Sequence, residues 1–250
     1  MANEERSHEI MSFLREHKRA TVEELAGFLY VSSATIRRDL TQLQRAGLLE
    51  RSHGGAVLKE VSDEVSFSIR SSKNANEKIH TAYLAIRHLP SFDTVFIDNS
   101  STCLFLAEKV DFTNKTVVTN SLQLAMHLIA KQRNVHVVLP GGDVTVGGAY
   151  SIMGSATVRS VESMHYDLMI SSCAALDGKQ SYELSMETAA LKRTAFEQSA
   201  VRILLADNTK LGTYSTYTVA KLHEYDKIFT DAKQEQLESL KINPRNFIHL

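Results

Sequence analysis

Val31-Ser32-Ser33-Ala34-Thr35-Ile36-Arg37-Arg38-Asp39-Leu40, continued by Leu43, puts apolar residues at 36, 40 and 43. That i, i+4, i+7 spacing predicts an amphipathic helix with one buried face, opened by Ser32 or Ser33 as its N-cap. The opposite face carries Ser33, Thr35, Arg37, Arg38, Gln42 and Arg45. Side chains of these types contact phosphates and base edges, and they cluster toward the end of the helix that enters a major groove in a recognition helix.

Upstream, Thr21-Val22-Glu23-Glu24 is a capping box that starts another helix at Thr21, and Tyr30-Val31 turns the chain between the two. A pair of helices joined by about three residues is helix-turn-helix geometry. Ile10, Phe13 and Leu14 give a still earlier helix its apolar face. Downstream of Gly47, residues 48–57 read as two short strands about a turn, a wing that directs Arg51 and His53 toward phosphates. Residues 33–59 carry a net charge of +3, whereas residues 1–60 hold 9 basic and 9 acidic side chains. The basicity is therefore positioned rather than diffuse.

Near residue 60 the chain changes character. Short apolar, β-branched runs at 94–98, 116–119, 135–139, 167–171, 201–206 and 227–230 alternate with amphipathic stretches long enough for helices. Near-continuous apolar runs suit strands buried on both faces, and the alternation predicts an open, mainly parallel α/β sheet. The expected organisation is a winged helix-turn-helix domain at 1–58, a polar, serine-rich linker at 59–76 and the α/β domain at 77–250.

Ligands of open parallel sheets bind beyond the carboxyl ends of the strands. Three successive runs there end in loops of ligand-binding type: Asp98-Asn99-Ser100-Ser101-Thr102, Thr119-Asn120-Ser121 and Pro140-Gly141-Gly142. Hydroxyls and backbone amides at helix starts hold anions, and glycines allow close backbone approach. A fourth run is followed by Asp207-Asn208-Thr209-Lys210, whose ammonium suits a phosphate. Candidate effector residues are thus Asp98, Ser100, Ser101, Thr102, Thr119, Asn120, Ser121, Gly141, Gly142 and Lys210.

The run from Val31 to Leu40, with Leu43, Gly47 and Arg51-Ser52-His53-Gly54-Gly55-Ala56, closely resembles the signature of the DeoR family of bacterial transcription regulators, and the likeness extends over most of the second half. The resemblance implies a winged helix-turn-helix joined to a sensor domain resembling sugar-phosphate isomerases, in which a phosphorylated sugar alters operator binding. It also implies that Glu187 and Lys192 reach a sugar hydroxyl or phosphate. Two departures from the pattern lie by the proposed pocket: Ser100 and Ala175 replace glycines common in the family.

The composition fits that frame. With 43% hydrophobic and 23% charged residues, 11 Gly and 3 Pro, the 250-residue chain is neither disordered nor collagen-like. Its 28 basic and 29 acidic residues make no bulk claim on nucleic acid or membrane. No apolar run nears the roughly 18 residues of a membrane span, the polar start is no secretory signal, and a cytoplasmic location follows. Cys103 and Cys173 lack metal-ligand spacing and read as core residues.

The expected function is a DNA-binding regulator, a repressor of sugar-metabolism genes, with no cofactor. Its partners would be double-stranded operator DNA, a sugar phosphate and further copies of itself as a dimer or tetramer, because paired half-sites need at least two recognition helices. An isomerase-like enzyme is the competing class, but the Gly-x-Asp-Glu run of those enzymes is absent from the sequence. An activator, or a response to a non-sugar effector, would use the same residues.

Overall fold

In the computed structural model the Thr21 hydroxyl accepts from the Glu24 amide at 3.1 Å and the Glu24 carboxylate accepts from the Thr21 amide at 2.7 Å, so both arms of the capping box close. The structure describes residues 2–45, 49–52, 54–58, 67–145, 150–242 and 246–249, and the chain divides into two compact units at residues 62 and 63.

The first unit runs α1 (Ala2–His17), β1 (Arg19–Thr21), α2 (Val22–Leu29), α3 (Ser33–Arg45), β2 (Leu49–Ser52) and β3 (Gly55–Leu58). The Ser32 hydroxyl accepts from the Thr35 amide at 3.2 Å, which settles the cap of α3 on Ser32. Ile10, Leu14, Leu25, Ile36, Leu40, Leu43 and Leu49 form its core. Burial of each such side chain contributes about 1.5–3 kcal/mol.

The strands make an antiparallel sheet ordered β1-β3-β2. The wing is therefore paired on both sides of β3, and the Val22 amide donates to the Gly54 carbonyl at 2.8 Å. A Cβ on Gly55 would lie 2.1 Å from the Ala20 carbonyl oxygen, so this close pairing of β1 and β3 requires glycine there.

The second unit opens with α4 (Phe67–Ser72) and α5 (Ala75–Ile86), so the stretch expected as linker is helical over part of its length. Serine-rich composition hid that helix because no apolar period marks it. There follow β4 (Thr94–Ile97), α6 (Ser101–Ala107), β5 (Thr116–Thr119), α7 (Leu122–Lys131), β6 (His136–Val138), β7 (Asp143–Thr145), β8 (Ser151–Met153), α8 (Ser155–Glu162) and β9 (Tyr166–Ser172). The remainder is β10 (Ala175–Leu176), β11 (Gln180–Glu183), α9 (Met186–Glu197), β12 (Ser199–Leu205), β13 (Tyr217–Lys221), β14 (Lys227–Phe229), α10 (Gln234–Ser239) and β15 (Phe247–Ile248).

Among the described residues the main sheet has seven strands in the order β15-β14-β12-β9-β4-β5-β6, every neighbouring pair parallel. All six runs read from the sequence are in it, and β15 is the strand that reading missed. Alternate residues feed two cores. Val95, Ile97, Leu168 and Ile170 pack under α5, α6 and α7, and Phe96, Met169 and Leu204 pack under α8 and α9. Two small antiparallel sheets, β10-β11-β13 and β7-β8, lie outside it.

Candidate functional site

The first unit turns one face of α3 inward and leaves the other open. Asp39, buried in spite of its charge, accepts from Arg6 Nε at 2.5 Å and Nη2 at 3.0 Å. This two-pronged pair clamps α1 to α3 and fixes the roll of the helix. Arg37, Arg38, Thr41 and Gln42 line a shallow exposed groove on the far side. Ser33 and Thr35 are half-buried at the start of the helix, where the Thr35 hydroxyl lies 2.9 Å from that of Ser32.

Arg51 on β2 donates from Nη1 to the Arg37 carbonyl at 3.4 Å and so joins wing to helix. Six of the seven expected DNA-contact residues, Ser33, Thr35, Arg37, Arg38, Gln42 and Arg51, thus lie on α3 or on the wing strand hydrogen-bonded to it. His53 lies outside the described residues.

In the second unit the expected loops follow β4, β5, β6 and β12 at their carboxyl ends. Asp98 lies deepest. Its carboxylate accepts from the Ser100 amide at 2.9 Å, the Ser172 amide at 2.9 Å and the Ser171 hydroxyl at 3.0 Å, and pairs with Lys192 at 2.7 Å. Burial opposes its ionisation, but the Lys192 charge and these donors hold its pKa down at about 2. Asp98 is an anchor beneath the crevice rather than a ligand in it.

Lys192 in turn binds Glu183 at 2.5 Å and the Ser172 carbonyl at 2.8 Å, and its two carboxylate partners raise its pKa against the desolvation of burial. Its ammonium is fully committed within the protein, and Glu187 is exposed on α9.

The other candidates surround that anchor. Ser100 caps α6, accepting from the Cys103 amide at 3.1 Å, with φ −75° and ψ 150°. This is ordinary extended backbone, and Ala175 is likewise absent from the positive-φ positions, so neither replacement strains the fold. Ser101 and Thr102 are buried in the first turn. The Thr119 hydroxyl accepts from the Ser121 amide, and Ser121 caps α7. Gly141 and Gly142 are exposed, and Gly142 passes so close to Thr157 that a Cβ would lie 2.0 Å from its hydroxyl.

Among the described residues, the buried side-chain atoms with no hydrogen-bond partner include Asn99 Nδ2 after β4, Asn120 Oδ1 after β5 and Asp207 Oδ2 after β12. Each such group costs about 1–3 kcal/mol unless a ligand or water meets it.

Lys210 is half-buried on the loop after β12. Close to it lies a lysine that the sequence reading missed. Lys78 of α5 is 5% exposed and donates to the carbonyls of Arg70 and Lys73. Burial pushes its pKa down to about 8, with Asp207 acting against that and Lys210, Arg70 and Lys73 reinforcing it. Lys78, Lys210, Arg70 and Lys73 thus lie within electrostatic reach of one another, with Asp207 among them and Asp231 hydrogen-bonded to the same loop through Asn208. No motif marks Lys78, because only the fold brings α5 to the loop after β12.

Residues 6–61 match the DeoR-like helix-turn-helix domain, and residues 73–232 match the DeoR C terminal sensor domain. The chain is 33% identical over 230 residues to the HTH-type transcriptional regulator YulB of Bacillus subtilis, covering 91% of this chain and 88% of that one. It is 31% identical to the HTH-type transcriptional repressor GlcR of the same species, covering 94% and 91%. To the lactose phosphotransferase system repressor of Streptococcus mutans it is 30% identical, covering 94% of each chain.

Proposed function

Since the chain belongs to the DeoR family of transcriptional regulators, we propose that it represses genes of sugar metabolism and that a phosphorylated sugar, bound at the carboxyl ends of β4, β5 and β12, sets its affinity for operator DNA. The first unit reads DNA with Arg37, Arg38 and Gln42 of α3 in the major groove, and Arg51 on the wing strand supports α3. The second unit is the sensor.

The observation that carries the sensor reading is the meeting of unmet polar atoms with excess positive charge. Asn99, Asn120 and Asp207 offer one donor and two acceptors, which suit sugar hydroxyls, while Lys78 and Lys210 suit a phosphate dianion. Ser101, Thr102 and the glycines at 141 and 142 complete the proposed pocket. The names of the two repressors lend support to repression in carbohydrate use.

No catalytic step is part of the proposal, since Lys192 engages the carboxylates of both Asp98 and Glu183. Assembly as a dimer or tetramer is part of it, because one recognition helix reads too few base pairs for operator specificity.

Thermal unfolding of the full chain against a panel of phosphorylated and unphosphorylated sugars tests the sensor. A ligand selective for the native state adds about 2.7 kcal/mol at a hundredfold excess over Kd. One sugar phosphate is expected to raise the midpoint and its parent sugar to leave it unchanged. A panel in which no phosphorylated sugar moves the midpoint overturns the reading.

A further inference from the structure

Helix α8 opens beside the loop after β5. The Ile152 amide donates to the Asn120 carbonyl at 2.8 Å and Asn120 Nδ2 donates to Met153 Sδ at 3.5 Å, directly before Gly154, the N-cap of α8. Gly154 has no side chain to accept from the first amides of the helix, and those amides have no partner within it. In the same turn Thr157 is fully buried, and its hydroxyl meets no hydrogen-bond partner. It does not use even the Met153 carbonyl four residues back, the ordinary acceptor of a helical threonine. Gly142 passes over that hydroxyl, where a Cβ would collide with it. Asn120 Oδ1 is likewise unmet, and the Asp143 carboxylate lies 3.4 Å from where a Cβ on Gly154 would stand.

This end of the crevice differs in charge from the other. Residues 119–122, 141–144 and 151–157 hold no lysine or arginine, and Asp143 brings a negative charge. Acceptors beside a hydroxyl suit the hydroxyls of a sugar, and the carboxylate repels a phosphate. Lys78 and Lys210 stand at the loop after β12, and the strand order from there to Asn120 is β12-β9-β4-β5. Three strand spacings amount to about 14 Å. A hydrogen bond of about 2.8 Å at each end leaves about 8 Å for the ligand, the reach of an extended pentose or hexose phosphate.

We infer that the start of α8 is the specificity end of the crevice, where Thr157, Asn120 and Asp143 read the sugar hydroxyls remote from the phosphate, so that the effector is a singly phosphorylated sugar and a bisphosphate is rejected. The inference rests on the sensor reading above and adds to it the direction in which the ligand lies. An unmet buried hydroxyl is a cost to the empty protein that a bound ligand removes. Thr157 therefore contributes to the choice of ligand and not to folding.

Thermal unfolding and calorimetric titration of the full chain test this. The probes are the terminal-carbon monophosphates of glucose, fructose, galactose and ribose, and the bisphosphates of glucose, fructose and ribulose with a phosphate at each end. Wild type is expected to bind at least one monophosphate, and to bind every bisphosphate about tenfold more weakly or worse. Thr157→Val keeps the shape of the side chain and removes the hydroxyl. It is expected to hold or raise the midpoint of the empty protein while weakening that monophosphate about tenfold, and Thr157→Ser to restore the affinity. Asp143→Asn is expected to narrow the gap between monophosphate and bisphosphate.

A bisphosphate that binds as tightly as the best monophosphate, or wild-type affinity in Thr157→Val, overturns the orientation and leaves the sensor reading standing. Should Thr157→Val not fold, Asp143→Asn decides alone, because residue 143 is exposed, and an unchanged gap overturns the inference. A wild type that no phosphorylated sugar shifts ends the sensor reading itself, and the orientation with it.

Discussion

The Lys192 ammonium lies 2.7 Å from the Asp98 carboxylate and 2.5 Å from that of Glu183, with all three side chains buried. One cation thus joins the loop after β4 to α9 and β11, directly beneath the proposed crevice. Removal of a partner from such a group leaves an uncompensated buried charge. Lys192→Met is expected to lower stability by about 3–5 kcal/mol, measured as a loss in urea unfolding free energy. An unchanged midpoint would mean that the network contributes nothing net.

The same network sets an acid limit. Asp98 has a folded pKa of about 2, below the roughly 3.9 of an unfolded aspartate. For a depressed carboxylate the stabilisation is fully present above the unfolded value and is lost as pH falls through the folded one. Wild type should therefore lose stability between about pH 4 and pH 2. Asp98→Asn should lack that component, and parallel pH profiles for the two proteins would refute the assignment.

Arg37 and Arg38 project from a helix whose packing does not involve them. Each change to alanine is expected to weaken operator binding about tenfold while leaving the thermal midpoint in place. If the lost contact is to a phosphate, the slope of log affinity against log salt should fall by about 0.9. Fluorescence anisotropy with labelled operator at several salt concentrations reads both quantities.

Asp39 sits next in sequence and has the opposite role. Asp39→Asn removes the negative charge and one of the two oxygens that accept from Arg6, so α1 and α3 should loosen together. Hydrogen exchange is expected to quicken at amides of both helices and to stay unchanged in β9. Equal protection in variant and wild type would remove the clamp from the account.

In the crevice, Ser101→Asp places a negative charge where a phosphate is proposed, and Lys78→Met removes a positive one. Ser101→Asp should abolish the thermal shift given by the effective sugar phosphate, and Lys78→Met should reduce it. Because Lys78 has a pKa of about 8, its charge falls away through that pH. Effector affinity should decline between about pH 7 and pH 9 in wild type more than in Lys78→Met. Calorimetric titration gives both profiles, and a normal response from Ser101→Asp would sink the pocket.

How far the sequence carried each feature follows from the range of the interactions. Caps and periodic faces are local, so Thr21, Glu24, Ile36 and Leu40 were readable directly, and six of the strands of the main sheet stood out as apolar runs. The three residues of β1 and the two of β15 are too short to show a period, and they exist only because β3 and β14 offer partners.

The site divides in the same way. The loops ending in Ser, Thr, Asn and Gly were legible as lying at the carboxyl ends of the strands, and the structure has them there. The sequence could not reveal that Asp98 faces Lys192 or that Lys78 approaches Lys210 and Asp207, since those pairings cross from one element to another. Asp39 was counted as one charge in a basic patch, and only the fold shows it turned inward to Arg6.

Positions 100 and 55 differ in how much sequence drift they can absorb. Ser100 has backbone angles open to any residue, so a lineage can exchange it for another helix-capping side chain without rebuilding the loop and can adapt the crevice to a new metabolite. Gly55 has the carbonyl of Ala20 where a Cβ would stand. Divergence among such regulators should accordingly gather in what they sense, while the joint between β3 of the wing and β1 stays nearly invariant.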